Sequence, residues 1–207
     1  GIVTASTDLP VYNAMDSTHN GGEDMAIAKF SGSGSLLWAT YYGGSNVDRV
    51  HSLDVDMNGN PVFAGPTRSV NIPLVNAFQA APAGARDVII ARMSPNGNLI
   101  WSTRYGGNSD EYGVDVSCGP KALVAVTART WSTNLPIRNS VHSVAQGNVD
   151  ALLAVFDSTG RFVLGSYLGG SSDDYGNGVA FDPTGRIICV GSTGSGNFPL
   201  VVAQQTT

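Results

Sequence analysis

Charge is what this sequence has least of: Lys, Arg, Asp and Glu together make up 13% of 207 residues. The eleven Lys and Arg are scattered and form no basic stripe, and the formal net charge is −5. Recognition of nucleic acid through phosphate contacts is therefore not expected, and an anionic membrane surface is an equally poor partner. No apolar run approaches the roughly 18 residues that a bilayer-spanning helix needs, so no membrane insertion is expected. No leader is recognisable at Gly1, as expected of a mature chain or of a piece of a longer one.

Residues that carry chemistry are equally sparse. The two cysteines, Cys118 and Cys189, lie in apolar runs at different points of the chain's pattern. They read as two buried free thiols, since free Cys packs as a small hydrophobe, and a bridge is not indicated. The three histidines, His19, His51 and His142, show no zinc-ligand spacing. No serine elbow, phosphate loop or dinucleotide fingerprint is present. Neighbouring acids such as Asp173 and Asp174 are weak evidence for acid–base work. The chain is not expected to be an enzyme.

What is abundant is glycine, at 26 residues, with β-branched and aromatic residues beside it. That balance predicts an all-β protein with many tight turns. A chain of this length can bury roughly 70% of its unfolded surface, so it needs neither disulfide nor metal to fold.

A strict repeat organises the whole chain. Pro10, Pro73, Pro136 and Pro199 are spaced by 63 residues, and so are Gly43-Gly44, Gly106-Gly107 and Gly169-Gly170. Asp24, Asp87 and Asp150 keep the same interval, as do Gly34, Gly97 and Gly160. Each unit holds four strand-like segments, which in the first unit are 25–30, 36–42, 50–56 and 61–65. Turn signals (SGSG, SPNG and DSTG; MNGN and DPTG) separate them. Short strands joined by hairpins and repeated in tandem predict β-propeller blades. The expectation is three four-stranded antiparallel sheets plus the tail of a fourth: residues 1–23 as tail and loop, then blades at 24–86, 87–149 and 150–207. The Gly-Gly pairs should mark tight bends with positive φ or close backbone approach. A closed propeller usually needs at least four blades, so further blades, other chains of an assembly or other copies of the chain are the expected partners.

The units resemble the bacterial SBBP repeat, named for a seven-bladed β-propeller. The residues that carry the resemblance run from Asp150 to Pro199, DALLAVFDSTGRFVLGSYLGGSSDDYGNGVAFDPTGRIICVGSTGSGNFP. In the first unit NVDRVHS stands in place of the DDYGNG segment, and in the second SCGPKAL replaces the D-x-x-G turn. The resemblance implies a propeller and an extracellular or cell-surface address, and implies no chemistry.

Two clusters are candidate sites. The acidic turn after each Gly-Gly pair carries Asp48, then Asp110 and Glu111, then Asp173 and Asp174. Such a turn could offer oxygen ligands to calcium, or its acids could accept hydrogen bonds from their own backbone. The long connection carries Thr-x-Ser-x-Asn-x-Pro, at Thr67, Ser69 and Asn71, at Thr130, Ser132 and Asn134, and at Thr193, Ser195 and Asn197. With Trp131 beside it this loop could read a glycan, or its side chains could satisfy the loop itself. Trp38 and Trp101 stand where unit three has Leu164, which points to core packing. The function expected is a structural or adhesive scaffold; the alternative is a ligand-binding propeller.

Overall fold

The computed structural model describes residues 2–199, and their regular secondary structure is almost wholly β. The strands are β1 (Ile2–Thr4), β2 (Asp24–Phe30), β3 (Leu36–Tyr42), β4 (Ser52–Val55), β5 (Pro61–Thr67), β6 (Asp87–Met93) and β7 (Leu99–Tyr105). After them come β8 (Glu111–Cys118), β9 (Val124–Thr130), β10 (Asp150–Phe156), β11 (Phe162–Leu168), β12 (Asp174–Phe181) and β13 (Ile187–Thr193). The one helical element described is a 3-10 turn at Pro120–Ala122.

All ladders are antiparallel, and the sheets run β1-β2-β3, β4-β5-β6-β7, β8-β9-β10-β11 and β12-β13. The expected propeller blades are present, but their phase differs from the sequence units. Each complete sheet takes two strands from one unit and two from the next. Three four-stranded sheets were expected; the described residues form two, with a three-stranded and a two-stranded sheet beside them. The physical reason lies in the fourth strand of the unit. β5 is buried along its whole length, so both of its edges need ladder partners. The hairpin supplies β4 on one edge. The other edge is filled across the long connection by β6, with Val62 opposite Arg92 and Thr67 opposite Asp87.

β4, β8 and β12 lie against one another from sheet to sheet. They form the inner row of the blades, and hydrogen bonds tie them together. Ser52 donates to Asp115 Oδ1 at 2.6 Å, and the amides of Cys118 and Val179 donate to Asp54 and Asp115 at 2.7 and 2.9 Å. Among the described residues the sheets do not close into a barrel.

The core lies between the sheets. On β6 alternate residues face opposite ways: Ile89 and Ala91 pack with Met25, Ile27 and Trp38 of the first sheet. Val88 and Ile90 pack with Val114, Val126 and Phe156 of the third. Both faces of such a strand are dry, which is why VIIARM reads as a continuous apolar run. Trp38 and Trp101 are buried, as expected of core residues. Each lies over the hairpin turn of the following unit, where Gly97 and Gly160 hold φ near +83°. A Cβ at Gly97 would sit 2.9 Å from the Trp38 ring, so glycine serves there both the left-handed turn and the close approach.

The thiols differ from expectation. Both are free, but Cys118 is only half-buried and Cys189 is exposed on β13. The apolar run IICVG belongs to a strand whose outer edge meets no further strand among the described residues, so the run does not bury its cysteine.

Candidate functional site

The acidic turns and the Thr-Ser-Asn loops form one structure, repeated three times. The equivalent acids are Asp48, Glu111 and Asp174, each 63 residues from the next and each fully buried. Asp48 accepts hydrogen bonds from the hydroxyls of Thr67 and Ser69 and from the amide of Gly44. Glu111 accepts from Thr130 at 2.7 Å, from Ser132 at 2.6 Å and from the Gly107 amide at 3.2 Å. Asp174 accepts from Ser195 and from the Gly170 amide, both at 2.7 Å. In this third hub the Oδ1 atom of Asp174 is buried without a donor, and Thr193 is exposed.

The rest of the motif is equally committed. The serine hydroxyls accept from the amides of Asn46, Ser109 and Ser172 at 2.8 to 2.9 Å. The side chains of Asn71, Asn134 and Asn197 accept from the amides of Ser45, Asn108 and Ser171. The loop thus clasps the turn after each Gly-Gly pair. A Cβ on Gly107 would fall 2.6 Å from both Ser132 Cβ and Asn134 Oδ1. Close approach, not positive φ, is what requires these glycines.

A second buried acid stands beside each hub. Asp24, Asp87 and Asp150 accept hydrogen bonds from the amides of Asn20, of Ala83 and Gly84, and of Gln146 and Gly147. Burial raises all three above the usual carboxylate range. It raises Glu111 further, to about 7, against the opposing effect of its three donors and with Asp87 adding repulsion. Next to Asp87 lies Arg104, its Nε 4.0 Å from the carboxylate. Arg104 occupies the position held by Tyr41 and Tyr167 in the other units. Its guanidinium donates to Ser69 O, as the two phenols donate to Ser6 O and Ser132 O.

The candidate calcium ligands are therefore separated. Asp48, Glu111 and Asp174 sit in three different blades. Asp110 and Asp173 fall outside the hubs and are half-buried. Among the described residues no three His, Cys, Asp or Glu side chains come together in a metal-holding group. The hydroxyls of Thr67, Ser69, Thr130, Ser132 and Ser195 are engaged by the hubs, whereas Asn71, Asn134, Thr193 and Asn197 are exposed, with the Oδ1 atoms of the three asparagines accepting from the turn. Trp131 is different. It stands beside this loop with 41% of its surface exposed.

Sequence reading missed a basic cluster. Arg49, Arg68 and Arg86 are far apart in the chain, yet they line one surface cavity with Val47, Pro66 and Tyr112. An adjoining cavity shares Arg86 and Tyr112 and adds Ser109, Asp110 and Trp131. The three arginines flank β4, β5 and β6 at one end of a single sheet, and Tyr112 of β8 closes the cavity from the next sheet.

No curated protein matches the chain. Residues 166–199 match the family model described as a β-propeller repeat, SBBP, a stretch that holds β12, β13 and the whole third hub. Residues 166–199 are thus similar to an SBBP β-propeller repeat, and the 63-residue period of the third unit, in which they lie, is shared by the two units before it.

Proposed function

We propose that the chain is a non-catalytic extracellular propeller module that joins further blades edge to edge, other copies of itself included, and serves as a scaffold. One observation carries this reading: among the described residues β13 pairs with β12 alone, while its equivalents β5 and β9 each pair with a second strand that follows the long connection. Ile188 and Val190 on β13 are 52% and 61% exposed. A cleft of about 220 Å³ opens beside them, lined by Ala151, Leu168 and Phe198 among others. An exposed apolar strand with a free edge is a template for another strand. The repeat itself supplies the register. Copying β9 on β10 places Thr193 opposite Asp24 of a second copy, Val190 opposite Ile27 and Ile187 opposite Phe30, displacing β1.

The non-catalytic reading is supported by the hubs, whose carboxyls and hydroxyls hold one another. The extracellular address rests on the resemblance of the units to the SBBP repeat. Light scattering tests the assembly. The 207-residue chain should give masses above 21.4 kDa that rise with concentration, and lysine at Ile188 and Val190 should abolish the rise. A clean 21.4 kDa particle at every concentration would count against edge pairing.

A further inference from the structure

We infer that the seam between the β4–β7 and β8–β11 sheets binds an anionic saccharide, with guanidinium groups holding its carboxylate or sulfate and Trp131 stacking on a sugar ring. The argument begins with charge. The chain has a formal charge of −5 and only eleven Lys and Arg, yet three arginines converge on one cavity of about 280 Å³. Of these, Arg49 is held in a two-pronged pair by Glu23, at 2.6 and 3.1 Å. Arg86 lies over the ring of Tyr112, 4.9 Å from its centroid. Arg68 is exposed. Among the described residues neither Arg68 nor Arg86 forms an ion pair.

Arg86, held over the Tyr112 ring, and the exposed Arg68 thus stand without an ion-pair partner among the described residues, beside a third guanidinium that Glu23 orients. Guanidinium forks match carboxylate and sulfate with two parallel hydrogen bonds each. The local field is felt by His51, which packs edge-on against Tyr112 and has its imidazole held below the usual range, first by burial and then by Arg49 and Arg86.

The chemistry next door selects the ligand. The adjoining cavity, about 370 Å³, continues the groove along Arg86 and Tyr112 to Trp131. A half-exposed indole next to guanidinium groups offers a flat apolar face to the C–H side of a pyranose and charged donors to its acidic substituent. A phosphate or sulfate alone would have no use for the indole. Asp110, which lines this second cavity, can accept from sugar hydroxyls.

The cluster is also singular, unlike the hubs. At the positions equivalent to Arg86 stand Glu23 and Val149; to Arg68, Ala5, Trp131 and Gly194; to Arg49, Tyr112 and Tyr175. Residues that build the blade recur at each period, whereas these occur once. The groove does not depend on the β13 edge, so assembly and binding can fail separately.

The test titrates the intact chain with a homogalacturonan hexasaccharide, its methyl ester, a sulfated hexasaccharide and inorganic sulfate, read by calorimetry and tryptophan fluorescence. The acidic hexasaccharides should bind in a salt-dependent way, and the neutral ester should not. Arg68→Ala and Trp131→Ala should each weaken binding about tenfold, or about 1.4 kcal/mol, with unchanged melting temperatures. Preference for the sulfated over the uronate sugar, or the reverse, supports the groove and names the acidic group. The inference is overturned if neither acidic sugar binds at millimolar concentration. It is overturned equally if inorganic sulfate binds as well as the sugars, or if both substitutions leave affinity unchanged.

Discussion

Replacing Glu111 with Gln should change how stability depends on pH. Burial lifts the Glu111 carboxyl from an ordinary 4.5 to about 7 in the folded chain. Between these values the native state keeps a proton that the unfolded chain has released. Stability contributed by that proton is complete below about pH 4.5 and is lost as pH rises through about 7. At about 1.4 kcal/mol for each pKa unit, the interval is worth on the order of 3 kcal/mol. The Glu111→Gln side chain stays neutral throughout and can still accept from Thr130 and Ser132. Urea unfolding followed by tryptophan fluorescence at pH 4.5, 6 and 8 reads the difference. The variant should gain on the parent by on the order of 3 kcal/mol across that range. Two stability curves that stay parallel would refute the buried, protonated hub.

Two further outcomes follow from the same sites. Gly107→Val should cost about 2 kcal/mol or more, because its Cβ meets Ser132 and Asn134, lowering the melting temperature by roughly 4 to 8 °C; Gly32→Ala, into open space, should be near neutral. Melting in the presence of EDTA should match melting without it, since the acids of all three hubs already accept protein donors; a clear drop would reinstate calcium at Asp48, Glu111 or Asp174.

The period, the four strands per unit and the turn glycines were legible because they rest on local rules of sterics and hairpin geometry. The phase of the sheets was not. A ladder between Val62–Thr67 and Asp87–Arg92 leaves no local trace, since 19 residues separate the strands and burial decides the pairing. The unity of the hub was nearer to the surface. Asp48, Glu111 and Asp174 keep the same interval as the Thr-Ser-Asn motif, and that shared period was the signal. Grouping Asp110 and Asp173 with them mixed two registers, because adjacency in sequence turns one side chain inward and the next outward on a strand. The arginine groove was illegible for another reason: Arg49 shares its repeat position with Tyr112, and Arg68 with Trp131, but the residue types change from unit to unit, so no recurring motif marks the groove.

The stagger between unit and sheet bears on how such a chain can be edited. A cut at residue 86, where a sequence unit ends, severs β5 from β6 in the middle of a ladder and leaves two raw strand edges. A cut near residue 108, between β7 and β8, parts whole sheets and leaves side-chain faces instead. Deleting 63 residues starting anywhere restores the same junctions, so gain or loss of a period is invisible to the backbone wherever the breakpoint falls. Truncations meant to yield a soluble piece should therefore follow the sheets and ignore the repeat.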